Sequence, residues 1–300
     1  MMRKLLLHLD SSPLASVFDR IVAYDSGADE VLSYGGVGAD DVRDLVHGAI
    51  FTRGPKDLHN TAIFIGGTDM DAGERLLGAV QRTFFGPMRV SVMLDSNGSN
   101  TTAVAAVARL IQAVGHVRGR RAVVVAGTGP VGTRAAGLLS RAGANVAITS
   151  RHADEAGRVA THIRERFGGN VEAIVVTDSS ELVSALGGAE LLLNAGPAGV
   201  ALVPRAAWTA ARSLRAIADL NAVPPLGIDG IEVTDAGTNR NGVTVFGALG
   251  IGNFKMKVHK RCIAKLFERN DVVLDAESIG DVARELMQST PAPPSVPPPG

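Results

Sequence analysis

The chain has 300 residues, of which 46% are hydrophobic and 20% charged, a balance typical of globular proteins rather than disordered ones. Its 30 basic and 30 acidic residues cancel, so its charge gives no reason to expect a nucleic-acid or membrane-surface partner. The single cysteine excludes an internal disulfide and a multi-cysteine metal site, and it fits a cytoplasmic location. The apolar run at 5–7 is too short for a signal peptide or a membrane helix.

Strand and helix patterns alternate through the first third of the chain. Asp69 is predicted to cap a helix that runs to about residue 84, and a polar loop at 95–102 leads into a helix that ends near Gly115. The strands predicted here are, in chain order, residues 4–9, 61–65 and 90–94.

The alternation continues to the C-terminal end. A Val-rich strand at 121–126 is followed by a glycine turn and a helix to about residue 142. Later strands are predicted at 145–150, 171–176, 191–194, 216–219 and 243–246, and later helices at 153–167, 253–269 and 276–287. This order predicts an α/β protein with a Rossmann-type doubly wound parallel sheet and a smaller N-terminal α/β domain.

The pattern suggests a division into four parts. Residues 1–100 form the N-terminal domain, and 101–252 form the second, Rossmann-type domain. The C-terminal helices at 253–288 are predicted to return to the N-terminal domain, so that a ligand cleft lies between the domains. Residues 289–300 form a proline-rich tail, predicted to be disordered and dispensable for the fold.

The glycine turn after the Val-rich strand matches the G-x-G-x-x-G pattern of dinucleotide-binding sites. Its glycines allow a tight turn, close approach of the backbone to a pyrophosphate, and close packing of helix on strand. The pattern is weak alone, but here it follows a strand and opens a helix, which is the expected context. A glycine-rich turn without a ligand is the alternative. The predicted cofactor-binding residues of this turn are Gly127, Thr128, Gly129, Pro130, Val131 and Gly132.

The end of the following strand bears on the choice between NAD and NADP. NAD sites usually carry an acidic residue there, which would repel a 2′-phosphate. This chain has Ser150 and Arg151 instead, which can hydrogen-bond and neutralise that phosphate. NADP is therefore the predicted cofactor, although Arg151 could also be only a solvated surface cation.

Three later loops are predicted to lie at the same edge of the sheet, at 194–197, 219–225 and 247–252. Their glycines and small residues would let the backbone approach a nicotinamide, although ordinary turn chemistry explains each residue equally well. The candidate cofactor contacts in these loops are Asn194, Ala195, Gly196 and Asn221.

Several motifs taken together resemble one enzyme family. The motifs are AspSerAsnGlySerAsnThrThr at 95–102, GlyThrGlyProValGly at 127–132, AsnAlaValProProLeuGlyIle at 221–228, GlyAlaLeuGlyIleGly at 247–252 and SerValPheAsp at 16–19. With the late helix, they resemble the bacterial NADP-dependent methylenetetrahydromethanopterin/methylenetetrahydrofolate dehydrogenases over residues 4–288. The resemblance implies reversible oxidation of a methylene-tetrahydropterin by NADP in one-carbon metabolism. It also implies a homo-oligomer, a trimer or a multiple of one.

The resemblance also suggests substrate-site residues. Asp19 and Lys255 match the catalytic positions, although an aspartate after phenylalanine is also a common helix cap. Asn97 and Thr102 are predicted to hydrogen-bond the pterin, with capping of the next helix as the equal alternative. His259 and Cys262 are assigned to packing rather than chemistry.

Two other functions remain open at this point. A shikimate-type NADP dehydrogenase shares the two-domain plan but needs a Lys–Asp pair whose motifs are not matched here. A non-catalytic NADP-sensing protein would bind the cofactor without turnover. Cyclohydrolase activity is disfavoured because neither Tyr24 nor Tyr34 has a lysine four residues later.

Overall fold

Two β-sheets form the framework of the computed structural model, which describes residues 2–289. The strands of the described residues are β1 (Leu5–Asp10), β2 (Glu30–Tyr34), β3 (Thr61–Gly66), β4 (Ser91–Leu94), β5 (Arg121–Val125), β6 (Asn145–Ser150), β7 (Asn170–Val175), β8 (Leu191–Asn194), β9 (Ala216–Asp219), β10 (Ala236–Arg240), β11 (Val243–Phe246) and β12 (Val273–Leu274). The helices are α1 (Val17–Asp25), α2 (Val42–Ile50), α3 (Met70–Thr83), α4 (Ser99–Val114), α5 (Pro130–Arg141), α6 (Ala153–Phe167), α7 (Ser179–Ala185), α8 (Arg205–Ala210), α9 (Ala248–Lys265) and α10 (Ala276–Ser289). The predicted tail lies outside the described residues, apart from Ser289.

The first sheet has five parallel strands in the order β12–β4–β3–β1–β2. Strand β3 is buried along its whole length because it lies at the centre with helices on both faces. Parallel strands place their carboxyl ends at one edge, and the loops after β1, β3 and β4 meet there.

The second sheet has seven strands in the order β7–β6–β5–β8–β9–β11–β10, with only β10 antiparallel to its neighbour. Strand order reverses between β5 and β8, which is the point where doubly wound sheets bind ligands. The predicted Rossmann-type α/β fold is confirmed.

The two sheets share one hydrophobic core. Helix α4 packs against α5, α9 and α10, and the buried cluster around it contains Leu6 and Phe64 from the first sheet and Val124 from the second. Its alanines allow this close approach of helices on several sides. Helix α9 therefore reaches the first sheet while beginning directly after the second.

Some boundaries differ from the prediction. The late helix begins at Ala248 rather than at 253 and ends at Lys265, so the glycines at 247–252 do not form a loop. Gly247 caps the helix, and Gly250 lies against the backbone of Asp235, so these glycines serve close packing. Strands β2, β10 and β12 were not predicted because β2 is a half-exposed edge strand, β10 is an exposed edge strand and β12 has two residues.

The domain division stays a proposal. Its cut points, at 100/101 and at 252/253, fall inside α4 and α9, the helices that the two sheets share. After α9, the chain adds β12 to the first sheet, and α10 packs mainly on α4 and α9.

A buried arginine links the helices of the two halves. Arg134 on α5 is 6% exposed, and its guanidinium donates to Asn100 Oδ1 at 2.7 Å, Glu74 Oε1 at 2.7 Å and the Pro130 carbonyl at 2.9 Å. Replacing Arg134 by Leu should lower the free energy of unfolding by about 2–4 kcal/mol, because it leaves buried partners unpaired. Urea denaturation measures this loss.

Arg158→Leu is the matched control, since Arg158 is exposed on α6 and lines, with Arg134, a cavity of about 740 Å³ between α3, α5 and α6. It should change the stability by no more than about 0.5 kcal/mol. Equal losses for the two variants would contradict a structural role specific to Arg134.

Candidate functional site

The glycine turn after β5 has the geometry that a dinucleotide needs. A Cβ on Gly127 would lie 2.7 Å from Ile148 Cβ, and one on Gly132 would lie 2.8 Å from Gly127 Cα, so both positions require glycine for packing. A Cβ on Gly129 would meet only the Ala126 carbonyl oxygen, at 3.9 Å. The space beside Gly129 is therefore open to a ligand, as the second glycine of the pattern requires.

The same turn presents the start of a helix. Gly129 is the N-cap of α5 and Pro130 its first residue, so the first amides of this 12-residue helix face the turn. Thr128 and Val131 are partly exposed on either side of Pro130. These features fit a bound pyrophosphate and support the predicted contacts.

Ser150 and Arg151 end β6 at the same edge. Arg151 is exposed and makes no hydrogen bond or ion pair with any residue that the structure describes, so its guanidinium is free for a ligand. Ser150 Oγ lies 3.5 Å from Glu155 Oε2, a carboxylate that sequence analysis did not consider. Glu155 stands in the first turn of α6 and opposes a 2′-phosphate, whereas Arg151 favours one.

The side chains of the two asparagines hold loops together. Asn194 is fully buried, and its amide donates to Asp219 Oδ1 at 2.8 Å and accepts from the Gly196 amide at 3.2 Å. Asn221 Oδ1 accepts from the amides of Val223 at 2.9 Å and Gly199 at 3.3 Å. The cofactor contacts in these loops stay a prediction, and the groups available for them are backbone groups, chiefly those of Ala195 and Gly196, which are partly exposed.

A second cavity of about 360 Å³ lies at the carboxyl edge of the first sheet. Its walls come from the loops after β1, β3 and β4 and from helices α1 and α9. Three of the four predicted substrate-site residues, Asp19, Asn97 and Lys255, line it together.

Asp19 is held in place by the loop after β1. Buried Asp10 accepts hydrogen bonds from the amides of Ser12 at 2.8 Å and Ser16 at 2.9 Å, and Ser16 Oγ accepts from the Asp19 amide at 3.2 Å. Ser16 is thus the N-cap of α1 and Asp19 its third residue, so the capping alternative is wrong for Asp19, whose side chain lines the cavity. Burial raises the pKa of Asp19, although Ser16 and Lys255 act in the opposite direction.

Lys255 faces the cavity without a partner. Its Nζ approaches Gly98 so closely that a Cβ there would lie 2.5 Å away. Within residues 2–289, Lys255 forms neither a hydrogen bond nor a salt bridge, with Asp19 or with any other residue. The ammonium is therefore available to a substrate acceptor.

The 95–102 loop contributes one cavity residue and one helix residue. Asn97 is exposed, borders the cavity and has a left-handed backbone with φ of 54°. Thr102 Oγ1 donates to the Gly98 carbonyl at 2.6 Å, which is a bond within the start of α4. The hydroxyl of Thr102 therefore bonds to the backbone at the start of α4, as the alternative of helix capping expected.

Two buried groups beside the cavity are not among the predicted site residues, and the sequence analysis assigned one of them, His259, to packing. Asp95 accepts hydrogen bonds from the Thr101 amide at 3.0 Å and Thr101 Oγ1 at 2.6 Å, and burial raises its pKa to about 6. His259 lines the cavity, and burial, followed by the nearby Lys255, lowers its pKa to about 3. Asp95 and His259 lie far apart in the chain, so no pattern in the sequence indicates that their side chains come within 3.8 Å of each other.

The cavity carries an excess of acidic groups. Asp10, Asp19 and Lys255 line it directly, and Asp95 lies behind it against His259. Two carboxyl groups that line the cavity and a third behind it, against one ammonium, favour a positive charge that develops on a bound molecule. Such a site suits a reaction whose product is a cation.

Comparison with known proteins identifies the family. The family model described as methylene-tetrahydromethanopterin dehydrogenase, N-terminal, matches residues 17–97. A Methylorubrum extorquens protein named bifunctional protein MdtA is 50% identical over 95% of this chain and 100% of its own length. The NAD(P)-dependent methylenetetrahydromethanopterin dehydrogenase of that organism is 32% identical over 95% of this chain and 99% of its own length. The chain belongs to the methylene-tetrahydromethanopterin dehydrogenase family.

The predicted family is confirmed, and this member of the methylene-tetrahydromethanopterin dehydrogenases is an oxidoreductase that uses a nicotinamide cofactor. Shikimate 5-dehydrogenase from Listeria monocytogenes superposes with a TM-score of 0.56 at 12% identity, covering 93% of this chain and 96% of that one. This likeness is one of fold. No helix within residues 2–289 has the length and apolarity to cross a membrane.

The buried carboxyl group of Asp95 should make stability depend on pH. Its pKa of about 6 in the folded protein exceeds the ordinary value of 3.8, so the folded state binds a proton between these values that the unfolded state does not. Relative to Asp95→Asn, the wild type should therefore gain up to about 3 kcal/mol as pH falls from 7 to 4. Urea denaturation at several pH values measures the difference.

Asp44→Asn serves as the control, because Asp44 is an exposed aspartate on α2. Its stability should run parallel to that of the wild type over this range. A wild type that loses stability relative to Asp95→Asn on acidification would show that the folded state prefers the ionised carboxylate.

Proposed function

We propose that the protein catalyses reversible hydride transfer from a methylene-tetrahydropterin to NADP, giving the methenyl form. The carrier is tetrahydromethanopterin, tetrahydrofolate or both. The observation that carries this proposal is the acidic cavity that joins Asp19, Asn97 and Lys255 at the first sheet, in a chain whose second sheet carries a glycine turn suited to a dinucleotide. The family assignment supports the same reaction.

The chemistry needs few groups from the protein. Loss of a hydride from the methylene bridge leaves an amidinium cation delocalised over two nitrogens, and no proton has to move. When bound, the nicotinamide ring supplies the hydride acceptor. Asp19 stabilises the developing cation, while Lys255 donates a hydrogen bond to an acceptor atom of the pterin and so orients the ring.

Helix α9 supports a short distance between the two ligands. It begins at Ala248, just beyond the end of β11, and Lys255 lies seven residues further on. At 1.5 Å per residue, this separation is about 10 Å along the helix. The cavity and the cofactor edge are thus close enough for two ligands that extend from them to meet.

We further propose that the protein acts in the cytoplasm as a homo-oligomer, a trimer or a multiple of one. Val17 and Ile21 on helix α1 support association, because both are exposed and they do not line the substrate cavity, unlike their neighbours Leu14 and Phe18. Such an apolar patch is typical of a surface that another molecule covers.

The reaction is tested by the absorbance of NADPH with methylene-tetrahydromethanopterin and methylene-tetrahydrofolate, each with NADP and with NAD. The wild type should reduce NADP on at least one carrier. Asp19→Asn should lower kcat/KM by about 10-fold to 100-fold, because it removes a charge that stabilises the cation. Lys257→Met, an exposed change two residues after Lys255, should retain wild-type kinetics. Absence of turnover on both carriers, with NADP bound, would refute the proposal.

Cofactor choice is tested at the end of β6. Arg151→Asp should lower kcat/KM for NADP by about 10-fold or more and leave kcat/KM for NAD unchanged or higher, because the new charge repels only the 2′-phosphate. Arg212→Asp carries the same charge change at an exposed position before β9, at the opposite edge of the sheet. An equal ratio of kcat/KM for NADP to kcat/KM for NAD in the two variants would show that Arg151 does not bind the 2′-phosphate.

A further inference from the structure

His259 is buried without any hydrogen-bond partner. Its side chain is 1% exposed, and neither ring nitrogen finds a donor or acceptor among residues 2–289. The ring stacks on Phe64 with centroids 5.6 Å apart and planes at 17°, and Phe18 lies 6.4 Å away. Buried polar groups are nearly always paired, so an unpaired imidazole that lines a cavity points to a ligand as its partner.

Asp95 sets which ring nitrogen carries the proton. His259 Nδ1 lies 3.8 Å from Asp95 Oδ2, a carboxylate that is itself buried and already bound by Thr101. The imidazole is neutral, because burial and the positive charge of Lys255 keep its pKa at about 3. A carboxyl group beside Nδ1 favours the N–H there, which leaves the lone pair on Nε2 as a hydrogen-bond acceptor.

We infer that His259 Nε2 is a substrate-binding atom that accepts a hydrogen bond from a ring N–H or amino group of the pterin. This inference rests on the proposed function. The cavity then offers a donor at Lys255 and acceptors at His259 and Asp19, the complement of a ring edge that carries both a carbonyl and N–H groups. His259 thereby selects a ligand with an N–H edge over a purely apolar ring.

The test compares His259→Leu and His259→Gln with the wild type. Leu removes both ring nitrogens, whereas Gln retains an oxygen that can accept a hydrogen bond. His116→Leu is the control, because His116 is an exposed histidine outside both ligand sites. The measurements are kcat and KM for the methylene carrier, calorimetric binding of tetrahydrofolate and tetrahydromethanopterin, NADP binding, and the urea midpoint.

His259→Leu should raise KM and the dissociation constant of the tetrahydropterin about 10-fold or more, with kcat within about threefold of the wild type. Its NADP binding should be unchanged and its urea midpoint equal or higher, since it removes an unpaired buried polar group. Gln should recover part of the affinity, and His116→Leu should match the wild type.

Unchanged tetrahydropterin binding in His259→Leu would overturn the inference, as would a lower urea midpoint accompanied by equal losses of NADP and tetrahydropterin binding. If the wild type binds a tetrahydropterin without turnover, the proposed reaction fails, and the binding comparison still decides the role of His259. If the wild type binds neither carrier, the proposed function and the inference both fail.

Discussion

The position of the two ligand sites depends on the packing of helix α4. This helix is buried between the sheets, and Ala103, Ala105 and Ala106 let its neighbours approach closely. Helix α9 packs along α4 and so leaves the second sheet and reaches the first. Larger side chains on α4 would push α9 away and displace Lys255 and His259 from the loops of the first sheet. A packing constraint between small residues thus fixes the geometry of the cavity.

The cavity is electrostatically costly for the folded protein. Burial raises the pKa values of Asp19 and Asp95, which means that the ionised forms are destabilised there. His259 stays unpaired, and Lys255 has no direct partner among the described residues. Selection for stability alone would leave such ionisable side chains paired or exposed. The buried and unpaired side chains around the cavity are therefore typical of a ligand-binding site.

The candidate cofactor site is built differently, because polar side chains there hold the loops together and leave backbone groups partly exposed. Asn194 and Asn221 tie together the loops that follow β8 and β9. Hydrogen bonds of this kind hold a loop in one conformation before a ligand arrives. Ser150, Arg151 and Glu155 place opposite charges near one strand end, and the proposed preference for NADP rests on Arg151 outweighing Glu155 there.

The sequence alone determined the α/β fold, the strand–turn–helix around Gly127 and the helix cap at Asp69, because each depends on residues close together in the chain. The substrate-site residues came from resemblance, because no local pattern links Asp19 to Lys255. Only the tertiary structure decided that the glycines at 247–252 start a helix, that Asn194 is buried and that His259 meets Asp95. The physical reason is that these features depend on packing between residues far apart in the chain, and hydrophobic periodicity carries no information about such contacts.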